Sequence, residues 1–306
     1  MARDDASDAY VDLRPLLLSI AYRMLGSVSE AEDVVQEAFV RYQRALADDT
    51  MVESPKAYLS AVVTRLAIDH LKSARVRRET YVGEWLPEPL VTDGGATDPA
   101  QHAELADSLS MSFLLLLERL TPVERAVFLL HDVFAYDFAE VGRIVGRTPA
   151  TCRQHAVRAR RFVAAERPRF DASEAVRDEL VDRFLAAAED GEVNGLIALL
   201  AEDVVLHGDG GGKVPQWSQP IAGAESVARV FAALGRQMRR VGATLERHEI
   251  NGQPGFLFRG RRGGVFSVMS FEVVGGRIAT VRSIVNPDKL RHLGPVESLR
   301  EVLARR

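Results

Sequence analysis

The sequence predicts a chain whose first half is helical, in two blocks separated by a Pro/Gly-rich linker, and whose remainder is an α+β domain. Three stretches carry that prediction. Residues 9–78 show helical spacing of apolar residues almost without a break. Residues 137–163, DFAEVGRIVGRTPATCRQHAVRARRFV, spell two short helices around a tight turn. From about Glu174, two helices come first and a series of strand-like segments follows, the order expected of an α+β unit.

Composition sets the class. The chain has 306 residues, 47% hydrophobic and 27% charged, as in globular proteins of two or three domains. No apolar run approaches the roughly 18 residues of a membrane span. The N-terminus MARDDASDAY is acidic and lacks an apolar signal core, so export is not expected. The single cysteine, Cys152, rules out an internal disulfide, suits a reducing cytoplasm and reads as a small core residue. No histidine or cysteine spacing suggests a metal, and no cofactor motif is present. Net charge is only −4, but it is unevenly spread. All lysines and arginines except Lys56, Lys72, Lys213 and Lys289 are arginine, with clusters at 75–78 and 147–169. Acidic residues gather at the N-terminus, at 30–37 and at 174–192. Two basic stripes with acidic surfaces between them fit two nucleic-acid contacts and a separate partner surface.

In chain order, an apolar helix over 13–25 closes at Gly26. Ser29 and Glu32 form a capping-box pattern ahead of AEDVVQEAFVRYQRAL. In that helix Ala31, Val34, Val35, Ala38 and Tyr42 share a face, and Asp33, Gln36, Glu37 and Arg41 lie toward the other. A third helix starts near Ser54-Pro55 and ends in a basic tail of Lys72, Arg75, Arg77 and Arg78. Residues 79–100 resist regular structure, yet Trp85-Leu86-Pro87-Glu88-Pro89 is too apolar for a free tether and is expected to dock. Helices resume near Ala103, and Thr121-Pro122-Val123-Glu124 opens ERAVFLLHDVF.

Asp137 with Glu140 caps the next helix, Gly146 supplies a left-handed stop, and Thr148-Pro149 starts the last helix of the pair. A helix-turn-helix inserts its second helix in the major groove. Arg147, Thr148, Thr151, Arg153, Gln154 and His155 are therefore the candidate base readers, with Arg158, Arg160 and Arg161 as phosphate contacts. A basic helix face taken alone is equally a solvated surface.

The two blocks together resemble a known family. Asp33-x-x-Gln36-Glu37-x-Phe39, followed by the helix carrying Arg65, Asp69 and the basic tail, resembles domain 2 of extracytoplasmic-function (ECF) sigma factors. The stretch LTPVERAVFLLHDVFAYDFAEVGRIVGRTPATCRQHAVRARR resembles their domain 4, with Gly142 where the family usually has alanine, at a cost of about 1 kcal/mol in helix propensity. The resemblance implies that Asp33, Gln36, Glu37 and Phe39 meet core RNA polymerase. It implies that Arg65, Asp69, His70, Lys72 and Arg75 serve the minus-ten element, whose bases are read unstacked on a single strand, and that the helix-turn-helix reads the minus-thirty-five element.

The C-terminal segments resemble a SnoaL-like cone, a curved antiparallel sheet wrapped over helices. The expected elements are helices over 175–189, 193–200 and 224–238, and strands over 204–207, 243–250, 255–259, 265–274 and 277–285. ECF sigma factors with such a fused domain share three stretches with this chain: Trp85 to Pro89, Asp209-Gly210-Gly211-Gly212-Lys213, and Asn286-Pro287-Asp288-Lys289-Leu290. The expected division is therefore sigma domain 2 over 1–79, linker over 80–102, sigma domain 4 over 103–170 and a SnoaL-like regulatory domain over 171–306.

The expected function is promoter-specific initiation by a cytoplasmic, non-enzymatic sigma factor, with promoter DNA and core polymerase as partners. The C-terminal domain would control it in cis through Trp85, Leu86, Pro87 and the two motifs above. No separate anti-sigma protein would be required, and a small ligand of the cone is compatible. One alternative is a helix-turn-helix regulator with a ligand-sensing cone. Another is a catalytic cone using His207 and Asp209, two apart on a strand end. The Gly210–Lys213 run is not a P-loop, because Val214 stands where Ser or Thr is needed.

Overall fold

A computed structural model describes residues 2–48, 50–93, 108–166, 173–214, 216–217 and 219–304. The chain divides into two compact units, Met1–Thr80 with Ser112–Arg167, and Tyr81–Met111 with Pro168–Arg306. The expected linker thus belongs with the C-terminal domain.

The first unit opens with helices α1 (Ala2–Leu25), α2 (Val28–Ala47) and α3 (Pro55–Glu79), which pack on one another. Gly26 adopts a left-handed φ of 68°, which leaves Ser27 extended and ready to cap α2 by accepting from Glu30 N at 3.1 Å. The expected Ser29/Glu32 box lies two residues too late, because the chain reverses at Gly26. The buried stripe of α2 is Ala31, Val34, Val35, Ala38, Phe39 and Tyr42.

After α4 (Met111–Leu117), Thr121 and Glu124 form the expected capping box of α5 (Pro122–Phe128). The helix continues as one π-helical segment, Leu129–Val133, and the chain turns at Ala135 with φ 56°. Helix α6 (Phe138–Val145) starts at the Asp137/Glu140 box and stops at Gly146, φ 66°. Helix α7 (Pro149–Glu166) follows, with Thr148 Oγ1 accepting from Thr151 N at 3.2 Å. Its inward face is Cys152, Ala156, Ala159 and Val163. Gly142 has a steric reason: a methyl group there would lie 2.7 Å from Arg147 O, where the turn folds back onto α6.

In the second unit, α8 (Glu174–Asp190) and α9 (Val193–Leu199) lead into β1 (Leu200–Asp209). Then come β2 (Ile221–Ala222), α10 (Ala224–Val241), β3 (Thr244–Ile250), β4 (Gln253–Arg259), β5 (Val265–Val274) and β6 (Arg277–Ile284). A 3-10 turn, Pro287–Leu293, and α11 (Leu299–Ala304) complete it. The sheet order is β2-β1-β6-β5-β4-β3. All neighbours are antiparallel except β1 and β6, which run parallel. The expected curved antiparallel sheet is met at every pair but this one. Hairpins fix direction only between consecutive strands, and β1 and β6 are joined through α10 and four strands. Register shifts in the β1–β6, β4–β5 and β5–β6 pairs bend the sheet. An Asn251-Gly252 turn, both residues at positive φ, joins β3 to β4.

One sheet face packs on the helices through Phe184, Phe231 and Phe271, with ring centroids 4.8–6.5 Å apart. Strands β4 and β5 are buried along almost their whole length, which one covered face cannot achieve. The other face takes residues from the linker and from the start of α4: Val91 bridges Ile250 at the end of edge strand β3, and Ser270 Oγ meets Met111 Sδ at 3.7 Å.

Candidate functional sites: a helix-turn-helix and a linker clamp

On α7 and the turn before it, Arg147, Thr148, Arg153, Gln154, Arg158, Arg160 and Arg161 are exposed. The inward Cys152/Ala156/Ala159/Val163 stripe forces this, since every fourth position is consumed by the core. Arg153 lies over the Phe138 ring at 5.5 Å, and Thr151 Oγ1 is 2.9 Å from Thr148 Oγ1. His155 is drawn toward α5, with Nδ1 3.6 Å from Glu124 Oε1, where Arg158 also converges at 3.7 Å. Arg160 pairs with Asp132 at 2.5 Å. Of the residues expected to meet DNA, Arg147, Arg153, Gln154 and Arg161 are exposed and outside these ion pairs.

On α3, Asp69 and Lys72 are exposed and pair with each other at 2.7 Å. Arg75 lies in α3, but its side chain falls outside the described residues. Arg65 donates to Ile144 O at 2.9 Å and to Arg143 O at 2.8 Å. These are among the last carbonyls of α6, which have no partner within the helix, and a guanidinium satisfies both while opposing the negative end of the dipole. Ser60 Oγ lies 2.8 Å from Tyr136 Oη in the same packing of α3 on the second helical block. Beneath it, Arg125, 1% exposed, donates twice to Arg23 O at 2.8 and 3.0 Å and pairs with Glu118 at 2.7 Å. Its place at the start of a capped helix gave no hint of that burial.

On α2, Asp33, Gln36 and Glu37 form an exposed face, with Glu37 held by Arg41 at 2.8 Å. Phe39 does not belong to it. It is 6% exposed and packs edge-on against Tyr10 at 4.6 Å. The stripe of α2 is wide enough to take position 39 beside 35 and 38, so Phe39 holds the helix rather than a partner.

The second unit brings the three expected motifs together around one carboxylate. Asp209 closes β1 and is fully buried. It accepts from Tyr81 Oη at 2.5 Å, Leu86 N at 2.9 Å, Gly211 N at 3.0 Å and Lys289 Nζ at 2.6 Å. Lys289, 6% exposed, also donates to Leu86 O and lies 4.4 Å from the Trp85 ring centre and 5.0 Å from that of Tyr81. Asn286 donates to Tyr81 Oη at 2.9 Å and caps the 3-10 turn by accepting from Asp288 N at 3.1 Å. Lys213 pairs with Asp288. Burial and the hydrogen bond to Asp209 push the Tyr81 phenol well above its ordinary pKa, so it remains a donor. The glycines have a local reason: a methyl on Gly211 would strike the Asn286 amide at 2.2 Å, and one on Gly212 would meet Val82 at 2.9 Å. Leu86, Pro87 and Leu290 are buried, whereas Gly212 and Lys213 are exposed.

Three histidines of this unit each face a linker carboxylate: His207 and Glu84 at 2.7 Å, His248 and Asp93 at 2.5 Å, His292 and Glu88 at 3.9 Å. The pair offered for catalysis, His207 and Asp209, is thus absorbed in holding the linker. Tyr81 and Asn251 were missed from sequence. Asn251 Oδ1 accepts from Leu90 N and its Nδ2 donates to Leu109 O, both at 2.9 Å. The Asn-Gly turn signal was available for the second; nothing local marks the first.

Comparison with known proteins fits this geometry. Sigma-70 region 2 matches residues 9–77, and sigma-70 region 4 matches residues 110–163. The chain is 38% identical over 288 residues to the ECF RNA polymerase sigma factor SigJ of Mycobacterium tuberculosis, covering 90% of each. The chain belongs to the ECF sigma factors. It is also 31% identical over 293 residues to the probable ECF sigma factor SigI of that species, covering 94% of this chain and 95% of the relative. The crystal structure of M. tuberculosis SigJ superposes with a TM-score of 0.72 at 34% identity, covering 95% of this chain and all of that one. As an ECF sigma factor the protein is an initiation factor and not an enzyme, and its two sigma regions imply binding to core RNA polymerase and promoter DNA. Region 2 spans most of α1–α3. Region 4 starts at 110, later than the expected 103, and contains the helix-turn-helix. No described helix is long and apolar enough to cross a membrane.

Proposed function

We propose that the C-terminal unit controls this ECF sigma factor in cis by gripping the linker between the two sigma regions. The observation that supports it is the buried Asp209–Lys289 pair, which takes three of its contacts from Tyr81 and Leu86. Region 2 and region 4 must span two promoter elements at once, so whatever fixes the linker fixes their reach. A clamp supplied by the same chain does the work of a separate anti-sigma protein, and none is required. In this reading α2 presents Asp33, Gln36 and Glu37 to the polymerase in the cytoplasm. Arg147, Arg153, Gln154, Arg158 and Arg161 take the minus-thirty-five duplex, and α3 takes the minus-ten strand with Asp69, Lys72 and Arg75. Arg65 does so only once it leaves the Arg143 and Ile144 carbonyls.

The test is transcription in vitro with core polymerase, comparing the full chain, Lys289→Met and a chain ending before Asp288. Cis control requires initiation that depends on the protein and output that changes when the clamp is broken. Initiation with identical output from all three removes it. DNA binding by a dimer without any initiation favours the helix-turn-helix regulator instead.

A further inference from the structure

The second unit holds a cavity of about 360 Å³, open on one side, between the sheet and helices α8, α10 and α11. Its walls are apolar, among them Leu185, Trp217, Leu234, Met238, Phe258 and Met269. Native interiors close-pack, and a void of this size leaves its lining without dispersion partners. The helices cannot close it by moving together. At Gly235 α10 already touches α8, where an added methyl would lie 2.0 Å from Ala188 O. The volume falls in the range of small-molecule sites.

Its polarity is specific. Ser267, on β5, lines the cavity, is 3% exposed, and its Oγ has no hydrogen-bond partner among the described residues. A buried hydroxyl facing an apolar chamber is completed by a ligand oxygen. The other polar pair on the wall is already satisfied, since Gln216 Nε2 donates to Ser283 Oγ at 3.2 Å. Among the described lining residues only Glu189 and Arg239 carry charge, and both are exposed at the rim. A charged ligand would therefore be desolvated without a counter-ion. Among the described lining residues none inside the chamber is an acid or a base, so what they offer is binding.

We infer that this cavity is a binding site for an uncharged, largely apolar small molecule bearing one hydrogen-bonding oxygen, held by Ser267. Its wall is continuous with the linker clamp. Val285 lines the cavity while its N–H donates to Asp209 O at 2.9 Å. Gln216 packs closely on both Gly208 and Gly210: a methyl on the first would lie 2.7 Å from Gln216 Cγ, and one on the second 3.0 Å from Gln216 Cβ. An occupant thus presses on the two segments that hold Asp209. This deepens the cis-control reading by naming the class of signal, but the site itself does not rest on that reading.

The experiment titrates the full chain with Nile red, an uncharged dye of suitable size with a ring carbonyl, and with the anionic 8-anilinonaphthalene-1-sulfonate for comparison. The expected result is one saturable Nile red site, with weaker binding of the sulfonate. Ser267→Ala should weaken Nile red about 3–10-fold, the worth of one neutral hydrogen bond. Leu234→Trp, which fills the chamber, should abolish the site. If Leu234→Trp fails to fold by thermal melting, Ser267→Ala decides alone. Absent or non-saturable binding, equal binding of the sulfonate, or no response to Ser267→Ala overturns the assignment. The measurement uses no polymerase, so its failure is distinct from failure of cis control.

Discussion

The helix-turn-helix and the linker clamp are built on opposite principles. The first keeps its charges in water: its fold comes from local caps and a stripe of small apolar residues, and its arginines stay exposed, even Arg158 and Arg160, which pair with carboxylates. The second takes charge out of water. Asp209 and Lys289 are buried together, each satisfied by groups from distant parts of the chain. Loss of one exposed arginine costs recognition and little stability. Loss of one buried partner strands the other, which is far more costly than the pair is worth. A surface that must exchange partners is built the first way, and a joint that must be fully made or fully broken is built the second.

The largest effect should come from Lys289→Met. It leaves the Asp209 carboxylate buried without its cation, a loss of about 3–5 kcal/mol for a broken buried pair. Hydrogen exchange should find residues 81–93 deprotected before the sheet unfolds. Arg125→Met in the first unit should also rank high, because it strips three contacts from a buried position, two to Arg23 O and one to Glu118; a fall in melting temperature checks it. Gly142→Ala pits a gain in helix propensity of about 1 kcal/mol against overpacking of about 1–3 kcal/mol. With the new methyl 2.7 Å from Arg147 O, we expect net destabilisation. Arg153→Ala should leave melting unchanged and cost about 1–3 kcal/mol in minus-thirty-five recognition if Arg153 makes a bidentate base contact, read by competition between matched and mutated duplexes.

The smallest effect is that of pH on the outer end of the linker. Burial pushes the Asp93 carboxyl up, but the Glu249 N–H and the His248 ring outweigh it and hold Asp93 below its ordinary value. A depressed carboxyl stabilises the docked linker above its unfolded pKa and loses that contribution as pH falls through the folded one. Proteolysis within 81–93 should therefore accelerate in acid, below the usual carboxylate range, and Asp93→Asn should flatten the dependence.

What was legible in the sequence follows the same division. Asp137, Gly146, Thr148 and Pro149 act within a few residues of themselves, so the helix-turn-helix could be placed nearly to the residue. The three motifs of the clamp were recognisable, but not that they meet at Asp209, because its contacts to the other two motifs join residues 80 and 123 positions apart. Phe39 was misplaced because helical spacing leaves position 39 on the edge of the stripe. Arg125 was missed because charge implies exposure unless a distant acceptor is known. The parallel β1–β6 pair was missed because strand direction is not written locally once strands are not consecutive. The Ser27 cap was misjudged by two residues, where Ser27 and Ser29 both satisfy the same pattern and only the turn at Gly26 chooses.

The central claim is that the buried Asp209–Lys289 joint sets the activity of the sigma regions through the linker. Runoff transcription with core polymerase and equal amounts of folded wild type and Lys289→Met tests it most directly. The account predicts polymerase-dependent initiation by both and an output that differs by a clear multiple once the joint is broken. Equal output, with residues 81–93 shown by hydrogen exchange to be released in the variant, would contradict it.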